Sequence, residues 1–207
     1  MPLVRINGRT LFFVHIPKTG GTSLENTLAS VGQIALHRKP FPNWVPPQHW
    51  HAEIYDVTVP RGFYDLGFLV CRNPYLRFVS EFRHRARDAD VLAVGLDTWA
   101  AKILDSYAAD PYVLYNHIRP QNEFWTKGIE IFRFEDGLQS CIDKLADYCC
   151  LSKAPKVRRD NLSPRVAVTM SQATAERIAS LYKRDFAIFN YDAKDLGVLE
   201  RSEVTLT

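Results

Sequence analysis

Apolar residues run almost without a break from Leu11 to Ile16 (Leu-Phe-Phe-Val-His-Ile), and a second such run spans Asp65 to Cys71. Short runs without alternation predict strands covered on both faces, as in a parallel sheet. A third strand is expected at Ile129 to Phe134. Elsewhere the apolar spacing turns helical. Leu24, Leu28 and Val31 share one face of a helix starting near Thr22, where Thr22 and Glu25 have capping-box spacing. Asn73-Pro74 opens another helix, with proline at a tolerated first-turn position and Tyr75, Phe78, Val79 and Phe82 as its inner stripe. Further helices are expected at Thr98 to Ala108, Asp136 to Tyr148 and Gln172 to Phe186, the last with Ile178, Leu181, Tyr182 and Phe186 inward. From Gly32 to Gln48 the chain carries Pro40, Pro42, Pro46 and Pro47 and reads as an extended loop, followed by a short helix or turn at His51 to Val57.

Strands alternating with helices predict an α/β fold with a central parallel sheet flanked by helices. The opening order of strand, glycine turn and helix is that of a nucleotide-binding unit, so a three-layer, P-loop-like arrangement is expected. With no repeat and no composition break, residues 1–207 read as a single domain. A chain of this size buries roughly 70% of its unfolded surface and needs no disulfide or metal staple.

Composition narrows the function. Hydrophobic residues make up 46% and charged residues 24%, as in ordinary globular proteins. The net charge of +3 is too small for a nucleic-acid binder. Basic residues matter by position instead: they gather at Arg72 to Arg87 and at Lys153 to Arg165. Cys71, Cys141, Cys149 and Cys150 form neither a CxxC pair nor a zinc pattern, and the adjacent pair reads as reduced thiols at a helix end. No apolar stretch has membrane-spanning length and no signal peptide is visible, so a soluble, cytoplasmic protein without membrane insertion is expected. Oligomeric state leaves no mark in the sequence.

The segment His15-Ile16-Pro17-Lys18-Thr19-Gly20-Gly21-Thr22-Ser23 holds most of the chemical information. Small residues let successive N–H groups point inward as an anion nest. The helix that follows adds its partial positive end. Lys18 supplies a full charge, and Thr19, Thr22 and Ser23 supply hydroxyls. A plain strand-turn-helix connection needs none of these. The loop is not of Walker type, because Lys18 precedes the glycines instead of following them, and Asp65 to Cys71 closes on Arg72 with no aspartate for magnesium.

This loop, followed by Cys71-Arg72-Asn73-Pro74-Tyr75-Leu76-Arg77-Phe78-Val79-Ser80, resembles the sulfotransferases that use 3′-phosphoadenosine 5′-phosphosulfate (PAPS). Within them it is most similar to the carbohydrate-type group that includes heparan sulfate 2-O-sulfotransferases and small bacterial members. The resemblance implies that Lys18, Thr19, Gly20, Gly21, Thr22 and Ser23 bind the 5′-phosphosulfate, and that Arg72 and Ser80 bind the 3′-phosphate. Arg72 stands at the C-terminal end of a strand, where parallel sheets place ligands. Ser80 lies two helical turns further on, and both reach one phosphate only if the helix start folds against it. Arg77 is expected in a surface ion pair. His117-Ile118-Arg119-Pro120-Gln121 resembles a family segment on the acceptor side. Phe132 to Asp136, and Asn161-Leu162-Ser163 through Tyr191, resemble the family's later elements.

Sulfonate transfer needs alignment, a base for the acceptor proton and stabilisation of the leaving phosphate. Among six histidines, His15 reads as a core residue, and His37 and His84 as exposed. His49 and His51 form an H-x-H pair where the resembling 2-O-sulfotransferases carry one whose second histidine is the base. The resemblance therefore points to His51, supported by His49, with Glu53 in reserve; metal binding by the pair is set aside. His117 either lines the acceptor pocket or caps a loop. Lys18 would neutralise the departing nucleotide. Lys156, Arg158, Arg159 and Arg165 either close over the donor, contact an anionic acceptor or are simply solvated.

Together these expectations describe a sulfotransferase acting on a hydroxyl-bearing acceptor, a carbohydrate by resemblance, with PAPS as co-substrate and no metal requirement. Two rivals are an ATP- and magnesium-dependent phosphotransferase and a non-catalytic module that holds an anion on the same loop. Trp44, Trp50, Trp99, Tyr112 and Tyr115 are candidate sugar platforms or core residues.

Overall fold

Asn7 and Gly8, with φ of 47° and 79°, make a tight turn between β1 (Leu3–Ile6) and β2 (Arg9–Val14), which pair antiparallel with Ile6 opposite Arg9. Two residues of positive φ match the natural twist of a hairpin. The computed structural model describes residues 1–37, 45–158 and 166–207. Along the chain follow α1 (Gly21–Ala29), β3 (Gln33–Ala35), α2 (Ala52–Thr58), β4 (Leu66–Cys71), α3 (Pro74–Arg85) and α4 (Ala89–Ala109). Then come β5 (Ile129–Arg133), α5 (Leu138–Tyr148), β6 (Val168–Met170), α6 (Gln172–Leu181), α7 (Lys183–Ile188), α8 (Gly197–Glu200) and β7 (Val204–Leu206). The chain forms two compact units, Met1–Cys71 with Glu123 to Arg158, and Arg72–Asn122 with Val166 to Thr207.

The first unit is an α/β layer structure. Its described strands form one sheet in the order β3-β1-β2-β4-β5. Here the expectation of a parallel sheet needs correction. β2, β4 and β5 run parallel, but β1 and β3 add antiparallel, so the sheet is mixed. The cause is the Asn7-Gly8 turn, which folds β1 back onto β2. Alternation along the strands sends Phe13, Phe68, Val70 and Phe132 into one core with Leu24 and Leu28 of α1 and Ile142 and Leu145 of α5. Phe12 points the other way, with its ring 5.2 Å from Tyr55 of α2 and 4.7 Å from Tyr64. Helices therefore cover both faces.

The second unit is mainly helical. α3, α4 and α6 enclose Phe78, Phe82, Trp99, Ile103 and Ile178, beside a parallel pair formed by β6 and β7. Trp99 is core: its ring lies 5.3 Å from Phe78 and 5.5 Å from Phe82, which removes it from the candidate sugar platforms. α4 begins earlier than expected, with a break at Gly95 (φ 75°). The helix expected over 172–186 divides at Tyr182 into α6 and α7, a break that sets Asp185 and Phe186 inward. Among the described residues no helix is long and apolar enough to cross a membrane.

α3 starts as the sequence predicts. Asn73 Oδ1 accepts from the N–H of Tyr75 at 3.0 Å and of Leu76 at 3.4 Å, and Pro74 occupies the first turn. Replacing this cap in Asn73→Ala should lower the unfolding free energy by about 1 kcal/mol, read by denaturant titration. An unchanged midpoint would mean that the cap is redundant.

Candidate functional site

The loop after β2 is shaped by a histidine beneath it. His15, 3% exposed, sets its Nδ1 2.5 Å from Oε1 of Glu25 in α1. That bond changes the expected capping box. Gly20 (φ 83°) is the residue before α1, no side chain caps the helix, and Glu25 turns inward to His15. The ring of His15 then fills the space beside Gly21. A Cβ built on Gly21 would lie 2.0 Å from His15 Nε2, so any other residue must displace the ring. Gly20 needs its freedom twice over: its φ is positive, and a Cβ would lie 2.6 Å from Leu138 Cδ1.

Lys18 also has a positive φ, 70°, an uncommon conformation for a residue with a side chain. Backbone strain of this kind collects at binding sites. Thr19 is fully buried and its hydroxyl donates to the carbonyl of Ile16 at 2.9 Å, closing the loop on itself. Ser23 is buried, whereas Lys18, Gly20 and Thr22 are partly open to solvent. What the loop presents is a lysine, main chain at left-handed positions and the first turn of α1, the makings of an anion site.

In the same unit the H-x-H pair lies next to α2. His49, 7% exposed, meets the ring of His15 edge-on with centroids 5.0 Å apart. His51, 1% exposed, immediately precedes α2, and its carbonyl accepts from the N–H of Ile54 and Tyr55. Its Nε2 lies 3.4 Å from Oε2 of Glu53, whose side chain is 88% exposed. His15, a buried, hydrogen-bonded core residue as the sequence suggests, thus touches both the loop and the H-x-H segment. Among the described residues, no three of His, Cys, Asp and Glu gather as metal ligands.

The second unit begins at Arg72, half-buried, one residue beyond the last paired residue of β4. Arg77 does not make the expected surface ion pair. It is 1% exposed, and its Nη2 donates to the carbonyls of His117 and Arg119, each at 2.8 Å. A charged group buried this deeply is tolerated where carbonyl dipoles meet it, as these two meet Nη2. Glu81, also 1% exposed, accepts from Arg85 Nε at 2.7 Å and faces His117 Nδ1 at 2.8 Å. Ser80, on α3, is half-buried. Leu114, Tyr115 and Asn116 form a short left-handed stretch, with φ of 52°, 55° and 68°. Asp185 is fully buried, and burial pushes its carboxyl up to about 6 against the pull of Arg77 and of two backbone N–H groups.

The sulfotransferase family's model matches residues 4–192, nearly the whole chain and both of its units. The chain belongs to the sulfotransferase family. No curated protein and no solved structure matches it.

The sulfotransferase thus carries the phosphate-loop candidates and the H-x-H pair in its first unit, and Arg72 and Ser80 in its second. His37 and His84 are half-buried, not exposed as expected. Trp50 is half-buried, while Tyr112 and Tyr115 are 44% and 37% exposed. Lys156 and Arg158 are exposed; Trp44, Arg159, Arg165 and the Asn161-Leu162-Ser163 segment lie outside the described residues. Missing from the sequence reading were the roles of Glu25, Gln121 and Asp185. Their signal was weak: a carboxylate or carboxamide among apolar helix positions reads as surface until the fold buries it.

Two outcomes follow from this geometry. Gly21→Ala must displace the His15 ring and should destabilise the protein by roughly 1–3 kcal/mol, visible as a lowered melting temperature. Asp185 binds a proton more tightly folded than unfolded between its ordinary value of 3.8 and about 6, so its contribution to stability falls as pH rises through that window. Asp185→Asn should therefore remove a downward slope from unfolding free energies measured across that range.

Proposed function

We propose that the protein transfers a sulfonate group from 3′-phosphoadenosine 5′-phosphosulfate to a hydroxyl of a carbohydrate acceptor. Residues 1–207 act in this reading as one sulfotransferase domain. The observation that carries the proposal is the loop of Lys18 to Ser23: it follows a strand that pairs parallel with β4, passes through left-handed φ at Lys18 and Gly20, and packs on the buried ring of His15. The resemblance assigns that loop to the 5′-phosphosulfate and Arg72 with Ser80 to the 3′-phosphate. Thr19 serves by closing the loop, since its hydroxyl is already bonded to Ile16.

In the proposed step the acceptor oxygen attacks sulfur as the bond from sulfur to the 5′-phosphate oxygen breaks. The acceptor proton passes to the imidazole of His51. The electron pair of the broken bond stays on the departing 3′-phosphoadenosine 5′-phosphate, where the Lys18 ammonium and the loop's N–H groups stabilise it. Glu53, beside His51 at 3.4 Å, favours the imidazolium that forms and is the reserve base. His49 supports from two residues before His51, with its ring edge-on to His15. No step requires a metal ion.

Calorimetric titration tests the donor assignment with adenosine 3′,5′-bisphosphate, adenosine 5′-monophosphate and ATP with magnesium. Tightest binding of the bisphosphate, unchanged by magnesium and weakened in Lys18→Ala, is expected. His51→Ala should keep that affinity while turnover with PAPS and an oligosaccharide acceptor falls about 10²- to 10⁴-fold, the usual worth of a general base. Binding of magnesium-ATP alone would replace this reading with phosphoryl transfer. Bisphosphate binding without turnover on any hydroxyl acceptor would leave only an anion-binding module.

A further inference from the structure

Arg72 stands where the sheet ends. Cys71 is the last residue of β4 paired with β5, so the N–H and C=O of Arg72 fall beyond the ladder and need other partners. One side chain supplies both. The N–H of Arg72 donates to Oε1 of Gln121 at 2.9 Å, and Nε2 of Gln121 donates to the carbonyl of Arg72 at 2.8 Å. The carboxamide thus satisfies both main-chain groups of Arg72 at once. Among side chains, only a carboxamide carries donor and acceptor in this geometry, and Gln121 is fully buried, with no water to turn toward.

Gln121 is itself held. Its own N–H donates to Asp185 Oδ2 and that of Asn122 to Oδ1, each at 2.8 Å. The residues just before it are held by Arg77, through the carbonyls of His117 and Arg119. On the other side of Arg72, Asn73 is committed to capping α3. We propose that Gln121, seated on Asp185, is a positioning residue that locks the main chain of Arg72 so that its guanidinium meets the donor's 3′-phosphate from a fixed origin. This rests on the assignment of Arg72 to the 3′-phosphate. It adds two residues outside the phosphate-binding motifs, neither of which touches the nucleotide in this role.

Freeing one residue's backbone makes its reordering part of binding, which corresponds to roughly a tenfold loss in affinity. That loss belongs to the 3′-phosphate alone. The readout is therefore the ratio of affinities for adenosine 3′,5′-bisphosphate and adenosine 5′-monophosphate, by calorimetry on the full chain. Gln121→Leu and Asp185→Asn should each shrink that ratio roughly tenfold while monophosphate affinity stays within about twofold. Gln121→Asn, one methylene short but with both hydrogen-bonding functions, is the milder companion where Gln121→Leu does not fold. Adding Gln121→Leu to Arg72→Ala should shrink the ratio no further, since both act on one contact. A ratio that falls in Arg72→Ala but not in the Gln121 or Asp185 variants overturns the positioning role and keeps the Arg72 assignment. Equal loss for both nucleotides marks a merely structural role and overturns it too. A ratio unmoved by Arg72→Ala overturns the assignment itself and the inference with it.

Discussion

The hydrogen bond between His15 and Glu25 is the contact on which the phosphate loop depends. A carboxylate and an imidazole, both under 10% exposed, would each be costly to bury alone. Paired at 2.5 Å they satisfy one another, and in doing so tie the end of β2 to the second turn of α1. Everything between those points is then constrained in length and direction. The ring of His15 takes the volume beside residue 21, which only glycine leaves free, and the turn before it must pass through left-handed φ at Lys18 and Gly20. The loop's shape is thus imposed from below by a buried pair.

The second unit uses the same device with the charges placed differently. Arg77 and Asp185 are buried and directed at main-chain groups, Arg77 at the carbonyls of residues 117 and 119 and Asp185 at the N–H groups of residues 121 and 122. An irregular segment without sheet or helix partners has polar backbone groups that must be satisfied individually. Two ionised side chains do this over six residues, and their attraction for each other offsets part of the cost of burying each. The segment can therefore be irregular while its main-chain groups stay satisfied.

Strands β2, β4 and β5, the α3 cap and the glycine loop were legible because each has a local cause: an apolar run, an Asn-Pro start, two adjacent glycines. The mixed sheet was readable too, in Asn7-Gly8, but β1 is short and its alternation modest beside the longer runs. Membership of the sulfotransferase family was legible because the loop and the Arg72 to Ser80 element each carry the resemblance in a short continuous stretch. Glu25, Arg77, Gln121 and Asp185 were not. Their partners lie 10, 40, 49 and 64 residues away in sequence, and a polar residue's burial is set by the tertiary fold. The local pattern around Glu25 even pointed elsewhere, to a capping box that the pull of His15 dissolves.

A chain with a net charge of only +3 raises the question of how it would hold a multiply charged donor. In the proposed reading the loop's construction bears on it. Thr19 is turned inward and Ser23 is buried, so affinity at this loop would come from N–H groups, the start of α1 and one lysine. Fixed dipoles of this sort attract an anion over a short range and need no surrounding field of positive charge. Binding through oriented amides is also less screened by salt than binding through a spread of exposed lysines.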